Sequence, residues 1–268
     1  MIDIVKVLQM RELEILKGLV AILDAHGIRY SLAYGTTLGC IRHGGFIPWD
    51  DDIDIYVWGK DLVRIKEIFK TENTGFLSLH DYDTVENYPY CFPKVIDSRT
   101  SLREKEFEKI DYNCGVYIDI FPLFEVDDNL IIRFFKEKRR YIDYVLLRYY
   151  FMNVEERFVP VKLFHFFDRL FFNANKIQHR LFKLYTKPLK NRKLVAEPNI
   201  FSSTAYVPEL IFKETIKMKF EDSEFCVPKD YIKYLRIVYG DYMKLPPEEK
   251  RVSEHKMVNV VIDGISIK

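Results

Sequence analysis

The chain has 268 residues, of which 48% are hydrophobic and 30% are charged, as in an ordinary globular enzyme. Its net charge of +1 at pH 7 gives no overall field that would attract nucleic acid, so no nucleic-acid partner is expected. The four cysteines have no Cys-x-x-Cys spacing, which argues against a structural zinc site and indicates small core residues of a reducing compartment.

The first half of the chain alternates helical and strand patterns. Residues 3–26 carry apolar side chains at helical spacing and end at His26-Gly27, which predicts a first helix. Residues 30–34 predict a strand, and Thr36 or Thr37 would cap a short helix that ends near Arg42. The elements predicted next are a strand, a helix and three further strands, over residues 52–58, 61–69, 75–79, 91–96 and 116–121.

Helical patterns dominate after residue 122. Two apolar stripes, at 131–149 and 163–174, predict packed helices, and a last helix follows Pro228 and ends at Gly240. Residues 195–224 are irregular, with room for a short hairpin. We therefore expect an α+β fold with a mixed β-sheet flanked by helices in residues 1–125 and a mainly helical region in residues 126–268. The boundary is soft, and one continuous domain is the alternative.

The most informative motif is a Gly- and Pro-rich loop that leads into Asp52 and Asp54. Residues i and i+2 of a strand share a face, so the two carboxylates would converge while Ile53 and Ile55 enter the core. Such close anions repel each other unless a divalent cation lies between them, and oxygen ligands suit Mg²⁺ or Mn²⁺. A solvated acidic loop is the alternative, which the Gly-Thr turn upstream and the strand alternation downstream disfavour.

Asp119 lies in an apolar strand pattern, where an unpaired buried carboxylate would be costly. We interpret it as a third carboxylate, on a strand next to the one with Asp52 and Asp54. It would complete the metal site or act as the base that takes a proton from an acceptor hydroxyl. An outward-facing residue on a one-sided sheet is the alternative.

Further side chains are candidate ligands of substrate phosphates or of the acceptor. The helix start at Gly35 and Thr36 offers N–H groups for a phosphate, alongside its capping role. The cationic candidates are Arg42, Lys94, Arg251 and His255. For Arg42 and Lys94 the alternative is a solvated surface charge, and for Arg251 and His255 it is a surface pair on a terminal helix.

The loop itself carries ring side chains whose role the sequence leaves open. His43 either supports the Gly44-Gly45 turn or belongs to the site. Trp49 either shapes the loop or stacks on a base or a choline headgroup, because quaternary ammonium groups favour aromatic faces.

Residues 141–172 are crowded with Tyr and Phe, which indicates either a helical core or a surface that contacts the inner membrane leaflet or a lipid-linked glycan. No apolar run approaches ~20 residues, and no signal-peptide pattern is present. The sequence therefore predicts a cytoplasmic protein, with membrane association on the cytoplasmic face as an extension of that prediction.

The segment from Gly35 to Asp54 resembles the active site of the nucleotidyltransferase superfamily and, over its full length, the LicD family. That family includes bacterial phosphocholine transferases and is related to fukutin-type ribitol-phosphate transferases. Residues 93–97, 115–123 and 239–247, followed by Arg251 and His255, fit the same resemblance. It extends from residue 1 to about 255, although residues 125–225 carry no matching motif.

The resemblance implies a nucleotidyltransferase-like fold and a metal-dependent transferase of substituted phosphates. The transferred group would be phosphocholine first of all, moved from CDP-choline to a sugar hydroxyl of a cell-surface glycan precursor. That glycan or lipid-linked glycan acceptor would belong to teichoic acid or lipopolysaccharide biosynthesis. Two alternatives stay open: a true nucleotidyltransferase that releases pyrophosphate, and a non-catalytic glycan- or lipid-binding protein on a degenerate scaffold.

Overall fold

The computed structural model describes residues 3–107, 110–126, 129–151, 176–180, 183, 194–196, 207–253 and 255–267. The described helices α1 to α5 span Ile4–Ala25, Tyr34–His43, Leu62–Thr71, Leu130–Phe151 and Tyr231–Tyr239, and residues 176–180 are helical as well. The described strands β1 to β12 span Tyr30–Leu32, Asp54–Trp58, Leu77–His80, Lys94–Asp97, Thr100–Glu104, Tyr117–Glu125, Leu194–Ala196, Val207–Pro208, Thr215–Phe220, Ser223–Pro228, Met257–Ile262 and Ile265–Ile267.

Within the described residues, seven strands form the main sheet. Its order is β1-β2-β6-β4-β3, and β7 joins the far end of β6 and pairs in turn with β8. The β2–β6 pair is parallel, whereas the other neighbours are antiparallel. The α+β class with a mixed sheet flanked by helices is therefore confirmed.

The main sheet separates two apolar cores. On one face, α1 packs its fully buried Ile15 and Leu19 against Ile53 and Ile55 around β2. On the other face, Tyr56 of β2 contacts residues of α2 and α5. Because side chains alternate along a strand, Asp54 shares the face of Tyr56. The prediction that Ile53 and Ile55 turn into the core is confirmed.

The C-terminal part of the chain returns to the first half. Strand β11 pairs with β5, and the β9–β10 hairpin lies against β1, where the Cys226 N–H donates to the Tyr30 hydroxyl at 3.2 Å. The alternative that Arg251 and His255 form a surface pair on a terminal helix is wrong, because a 3-10 turn over Glu248–Lys250 and then β11 occupy this stretch. The division at residue 125 stays a prediction.

Helix α4 follows the predicted length but not the predicted packing. Ile131, Phe134, Phe135 and Ile142, expected in a core, are 52% to 69% exposed. The predicted helix at 163–174, and most of the aromatic segment 141–172, lie outside the described residues. None of the helices in the described part of the chain has both the length and the apolarity that a bilayer crossing requires. None of the four cysteines, all of which lie in the described part of the chain, forms a disulfide.

Candidate active site

Two carboxylates face each other across the parallel strands β2 and β6. Asp54 is the register partner of Asp119, and both side chains are buried. The Asp119 N–H donates to the Ile53 carbonyl at 2.9 Å, which ties the strands together at the level of the acids. The predicted placement of Asp119 on the neighbouring strand is confirmed.

Asp52 lies before β2 rather than in it, so the prediction of a strand that begins at Asp52 is wrong by two residues. The side chain is partly exposed, yet burial of its carboxylate raises the pKa to about 6, while nearby His255 opposes this rise. Burial and then the charges of Asp52 and Asp119 raise the pKa of Asp54 well above its usual range. The carboxylates therefore crowd one another in the protein alone.

The described residues offer a divalent cation two crowded carboxylates rather than a complete set of protein ligands. In the described part of the chain, no group of three or more His, Cys, Asp or Glu side chains is arranged to hold a metal ion. Mg²⁺, however, is usually held by one or two carboxylates together with substrate phosphates and water. The crowded pair Asp52 and Asp54 fits that demand, because a cation would relieve their repulsion. Asp119 as a third ligand stays a prediction.

The buried carboxylate of Asp119 is paired with the ammonium group of Lys94. Lys94 Nζ donates to Asp119 Oδ1 at 2.6 Å and lies 3.4 Å and 4.1 Å from the ring centroids of Tyr117 and Tyr90. Both tyrosine hydroxyls donate to Glu104 Oε1. Burial alone would lower the pKa of Lys94, but the carboxylates of Asp119 and Glu104 outweigh it and raise the pKa. The alternative of a solvated charge is wrong for Lys94, which is 1% exposed.

The start of α2 lies beside the acids. The helix begins at Tyr34, whose φ of 37° is left-handed, and Ala33 is the N-cap residue, so the prediction of a threonine cap is wrong. Instead, Thr36 Oγ1 accepts the N–H of Asp54 at 2.8 Å. A Cβ on Gly35 would lie 2.7 Å from Asp50 Oδ2, so any larger residue here would displace the carboxylate of Asp50. Phosphate binding by the first turn of α2 stays a prediction.

The acidic loop is held by a residue that the sequence did not single out. Gln9 of α1 donates from Nε2 to the carbonyls of Ile47 at 3.2 Å and Asp50 at 2.8 Å. The loop also packs tightly on α2, because a Cβ on Gly39 would lie 2.5 Å from the Gly45 carbonyl oxygen. Contacts from both helices thus fix the backbone that presents Asp52.

The C-terminal segment supplies a cation to the acidic loop. His255 Nδ1 lies 3.1 Å from Asp51 Oδ1, and Ser253 donates its hydroxyl to the other oxygen of the buried Asp51. Burial alone would lower the pKa of His255, but its hydrogen bond to Asp51 and the charge of Asp52 raise it to about 9. His255 is therefore an imidazolium at neutral pH, beside two carboxylates.

The two candidate arginines contact the loop and the C-terminal segment. Arg251 places its guanidinium 5.8 Å from the Trp49 ring centroid and donates from Nε to the Pro246 carbonyl at 2.9 Å. Arg42 donates from Nη1 to the Tyr242 carbonyl at 2.9 Å and from Nε to His43 Nε2 at 3.0 Å. Arg251 thus joins the C-terminal segment to the acidic loop, and Arg42 joins it to the end of α2.

A further carboxyl group was missed by the sequence analysis. Glu12 of α1 is 2% exposed, and its Oε2 has no hydrogen-bond partner in the part of the chain that the structure describes. Burial, followed by the charges of Asp52, Asp51 and Asp50, raises its pKa well above the usual range. The sequence pattern that could have revealed Glu12 is the presence of an acidic residue within the apolar stripe of α1.

Comparison with known proteins identifies the family of this chain. Residues 27–161 match the family model described as LicD/FKTN/FKRP, nucleotidyltransferase domain. Lipopolysaccharide cholinephosphotransferase LicD of Haemophilus influenzae is 31% identical over 257 residues, which cover 91% of this chain and 92% of that protein. Human ribitol 5-phosphate transferase FKRP is 38% identical over 113 residues, 41% of this chain but 20% of that protein. The chain therefore belongs to the LicD/FKTN/FKRP family, as its sequence motifs indicated.

Proposed function

We propose that this protein transfers phosphocholine from CDP-choline to a sugar hydroxyl of a cell-surface glycan precursor. The broader assignment, a phosphotransferase for substituted phosphate groups, follows from family membership and confirms the expectation from the sequence. The choice of phosphocholine is supported by the relative that matches nearly the whole chain, a lipopolysaccharide cholinephosphotransferase by name. The ribitol-phosphate transferases share a shorter stretch.

The observation that carries the proposal is the juxtaposition of Asp54 and Asp119 on adjacent parallel strands, next to the first turn of α2. Asp52 and Asp54 would hold Mg²⁺ or Mn²⁺ against the two phosphates of the donor. The bound cation would neutralise the charge that develops as the nucleoside monophosphate leaves. The N–H groups of Gly35 and Thr36, in a helical turn that offers them no acceptor, point to the same task of binding phosphate.

Proton transfer from the acceptor is the second requirement of the reaction. Lys94 contacts Oδ1 of Asp119 and thereby fixes the orientation of this carboxylate. The other oxygen, Oδ2, would accept the proton of the sugar hydroxyl as that hydroxyl attacks the phosphorus atom. The imidazolium of His255 adds positive charge beside the acidic loop, where the dianionic diphosphate of the donor would otherwise meet a cluster of carboxylates.

The test is a donor-binding and turnover experiment on the purified protein with Mg²⁺. Thermal shifts are recorded with CDP-choline, CDP-ethanolamine, CDP-glycerol, CDP-ribitol and CMP, and release of CMP is followed with a glycan acceptor. We expect metal-dependent stabilisation by CDP-choline, lost in the double variant Asp52→Asn, Asp54→Asn and kept in the exposed-residue control Asp24→Asn. A stronger response to another CDP-linked donor would replace phosphocholine by that group.

Two results would contradict the proposal outright. If the protein releases pyrophosphate from CTP and leaves CMP on the acceptor, it is a nucleotidyltransferase, because the phosphocholine transferase releases CMP. If neither Mg²⁺ nor any cytidine nucleotide shifts the melting temperature, while a glycan does, the protein is a binding protein on a degenerate scaffold.

A further inference from the structure

Helix α4 is attached to the protein by one narrow face. Arg140, Asp143, Leu147 and Phe151 are all at most 6% exposed and lie on one side of the helix. Arg180 donates two hydrogen bonds to the carboxylate of Asp143, at 2.6 Å and 2.9 Å, which adds a polar clamp to this face. The packed side of α4 is therefore partly polar.

The opposite side of α4 is apolar and exposed to solvent. Six side chains, each at least 50% exposed, form what we call the outer stripe: Leu130, Ile131, Phe134, Phe135, Tyr141 and Ile142. Their spacing of i, i+1, i+4, i+5, i+11 and i+12 places them on one side of a helix, roughly opposite the packed face. A helix in a water-soluble protein normally has the reverse arrangement, with its apolar side inward.

Basic residues accompany the outer stripe. Residues 130–142 contain five basic residues and one acidic residue. One of the five, Arg140, is buried on the packed face, whereas Lys136, Lys138 and Arg139 are exposed. The Nζ of Lys138 lies 5.4 Å from the ring centroid of Phe134, within the stripe. Arg139 lies between the stripe and the packed face: its Nε is 3.5 Å from Asp143 Oδ1, while 61% of its side chain is exposed. Long basic side chains can bury their stems along apolar surface and keep the charge at the level of polar headgroups.

We propose that the outer stripe of α4 docks the protein on the surface of an anionic lipid bilayer. An exposed apolar stripe with interspersed Lys and Arg fits a helix that lies in the membrane interface, with its apolar side in the acyl boundary and its cations at the lipid phosphates. A second copy of the chain fits less well, because a two-fold contact would bring the two basic surfaces together. This inference goes beyond the proposed function and does not rest on it.

The test uses the full-length protein without donor, metal or acceptor, so that its result is separate from that of the transferase assay. Sedimentation with vesicles compares phosphatidylcholine alone with phosphatidylcholine mixed with phosphatidylglycerol. We expect binding only to the anionic vesicles, weakened by added salt because screening reduces the attraction to the lipid phosphates. The double variant Phe134→Ser, Phe135→Ser should bind about tenfold or more weakly.

Matched controls separate the outer stripe from general surface apolarity. The double variant Met10→Ser, Leu210→Ser removes two side chains that are more than 70% exposed elsewhere, and it should bind the anionic vesicles like the wild type. As a gain-of-signal measurement, brominated anionic lipids should quench the tryptophan fluorescence of Phe135→Trp more than that of the wild type, whose tryptophans are Trp49 and Trp58.

The proposal is overturned if the wild type does not bind anionic vesicles, or if Phe134→Ser, Phe135→Ser binds them as well as the wild type. Equal binding to phosphatidylcholine alone would remove the electrostatic argument and overturn it as well. A dimer in sedimentation velocity that this variant converts to a monomer, without vesicle binding, would assign the stripe to a second copy instead.

Discussion

Helices α1 and α4 are both 22 residues long and both amphipathic, but they use their apolar faces in opposite ways. Helix α1 buries its stripe against the main sheet, whereas α4 packs through a partly polar face and leaves its outer stripe exposed. Periodicity shows that a helix has an apolar side. Only the partners available in the folded chain decide whether that side is the packed one.

The largest expected difference between the two helices is the cost of removing apolar side chains. Leu19→Ala on α1 should lower the free energy of unfolding by about 2–5 kcal/mol, because Leu19 is fully buried and the change leaves a cavity. Ile131→Ala on α4 should change it by less than about 0.5 kcal/mol, because Ile131 is 69% exposed. Denaturant unfolding measures both. Equal costs would show that the outer stripe is packed in solution.

A smaller effect is expected from the polar clamp of α4. Asp143→Ala removes both hydrogen bonds from Arg180 and should lower the free energy of unfolding by about 1–3 kcal/mol, less at high salt, because Arg180 is partly exposed. Hydrogen exchange should show faster opening of α4, while α1 keeps its protection. The control Asp24→Ala, exposed on α1, should leave stability and exchange nearly unchanged. A variant as stable as the wild type would mean that apolar contacts alone hold α4.

What the sequence predicted correctly rests on short-range patterns. The alternation around β2 assigned Ile53 and Ile55 to the core, and the apolar strand around Asp119 led to its placement beside β2. These inferences needed only the geometry of a strand and the cost of burying a lone charge. The family motifs added the expectation of a nucleotidyltransferase domain, which the family model matches.

What the sequence did not predict depends on contacts between distant segments. The N–H of Tyr34 donates to the Tyr234 hydroxyl, 200 positions away, and α2 begins there instead of at a threonine cap. Strand β11 forms on β5, far from it in the chain, and Gln9 holds the acidic loop from α1. Likewise, nothing local in the sequence pairs His255 with Asp51. Propensity and periodicity carry no information about such pairings.

The acidic residue in the apolar stripe of α1 gives an effect that depends on pH and the sharpest test of that helix. Burial raises the pKa of Glu12, so the folded protein keeps its proton over a pH range in which the unfolded chain has released it. The contribution of Glu12 to stability should therefore fall as pH rises above about 4.3, the usual pKa of glutamic acid. Glu12→Gln cannot ionise, so we expect its melting temperature to exceed that of the wild type by a margin that grows from pH 4 to neutrality.

Glu67→Gln, at an exposed position of α3, is the control for the exchange of a carboxylate for an amide outside the core. A Glu12→Gln margin that stays constant with pH would mean that Glu12 is equally ionised in both states and that the buried stripe of α1 tolerates a charge. A margin that grows with pH but shrinks when Mg²⁺ is added would link Glu12 to the neighbouring carboxylates, because a cation among them would reduce the repulsion that keeps Glu12 protonated. Helix α1 would then take part in both the core and the electrostatics of the site, whereas α4 would act only at the protein's surface.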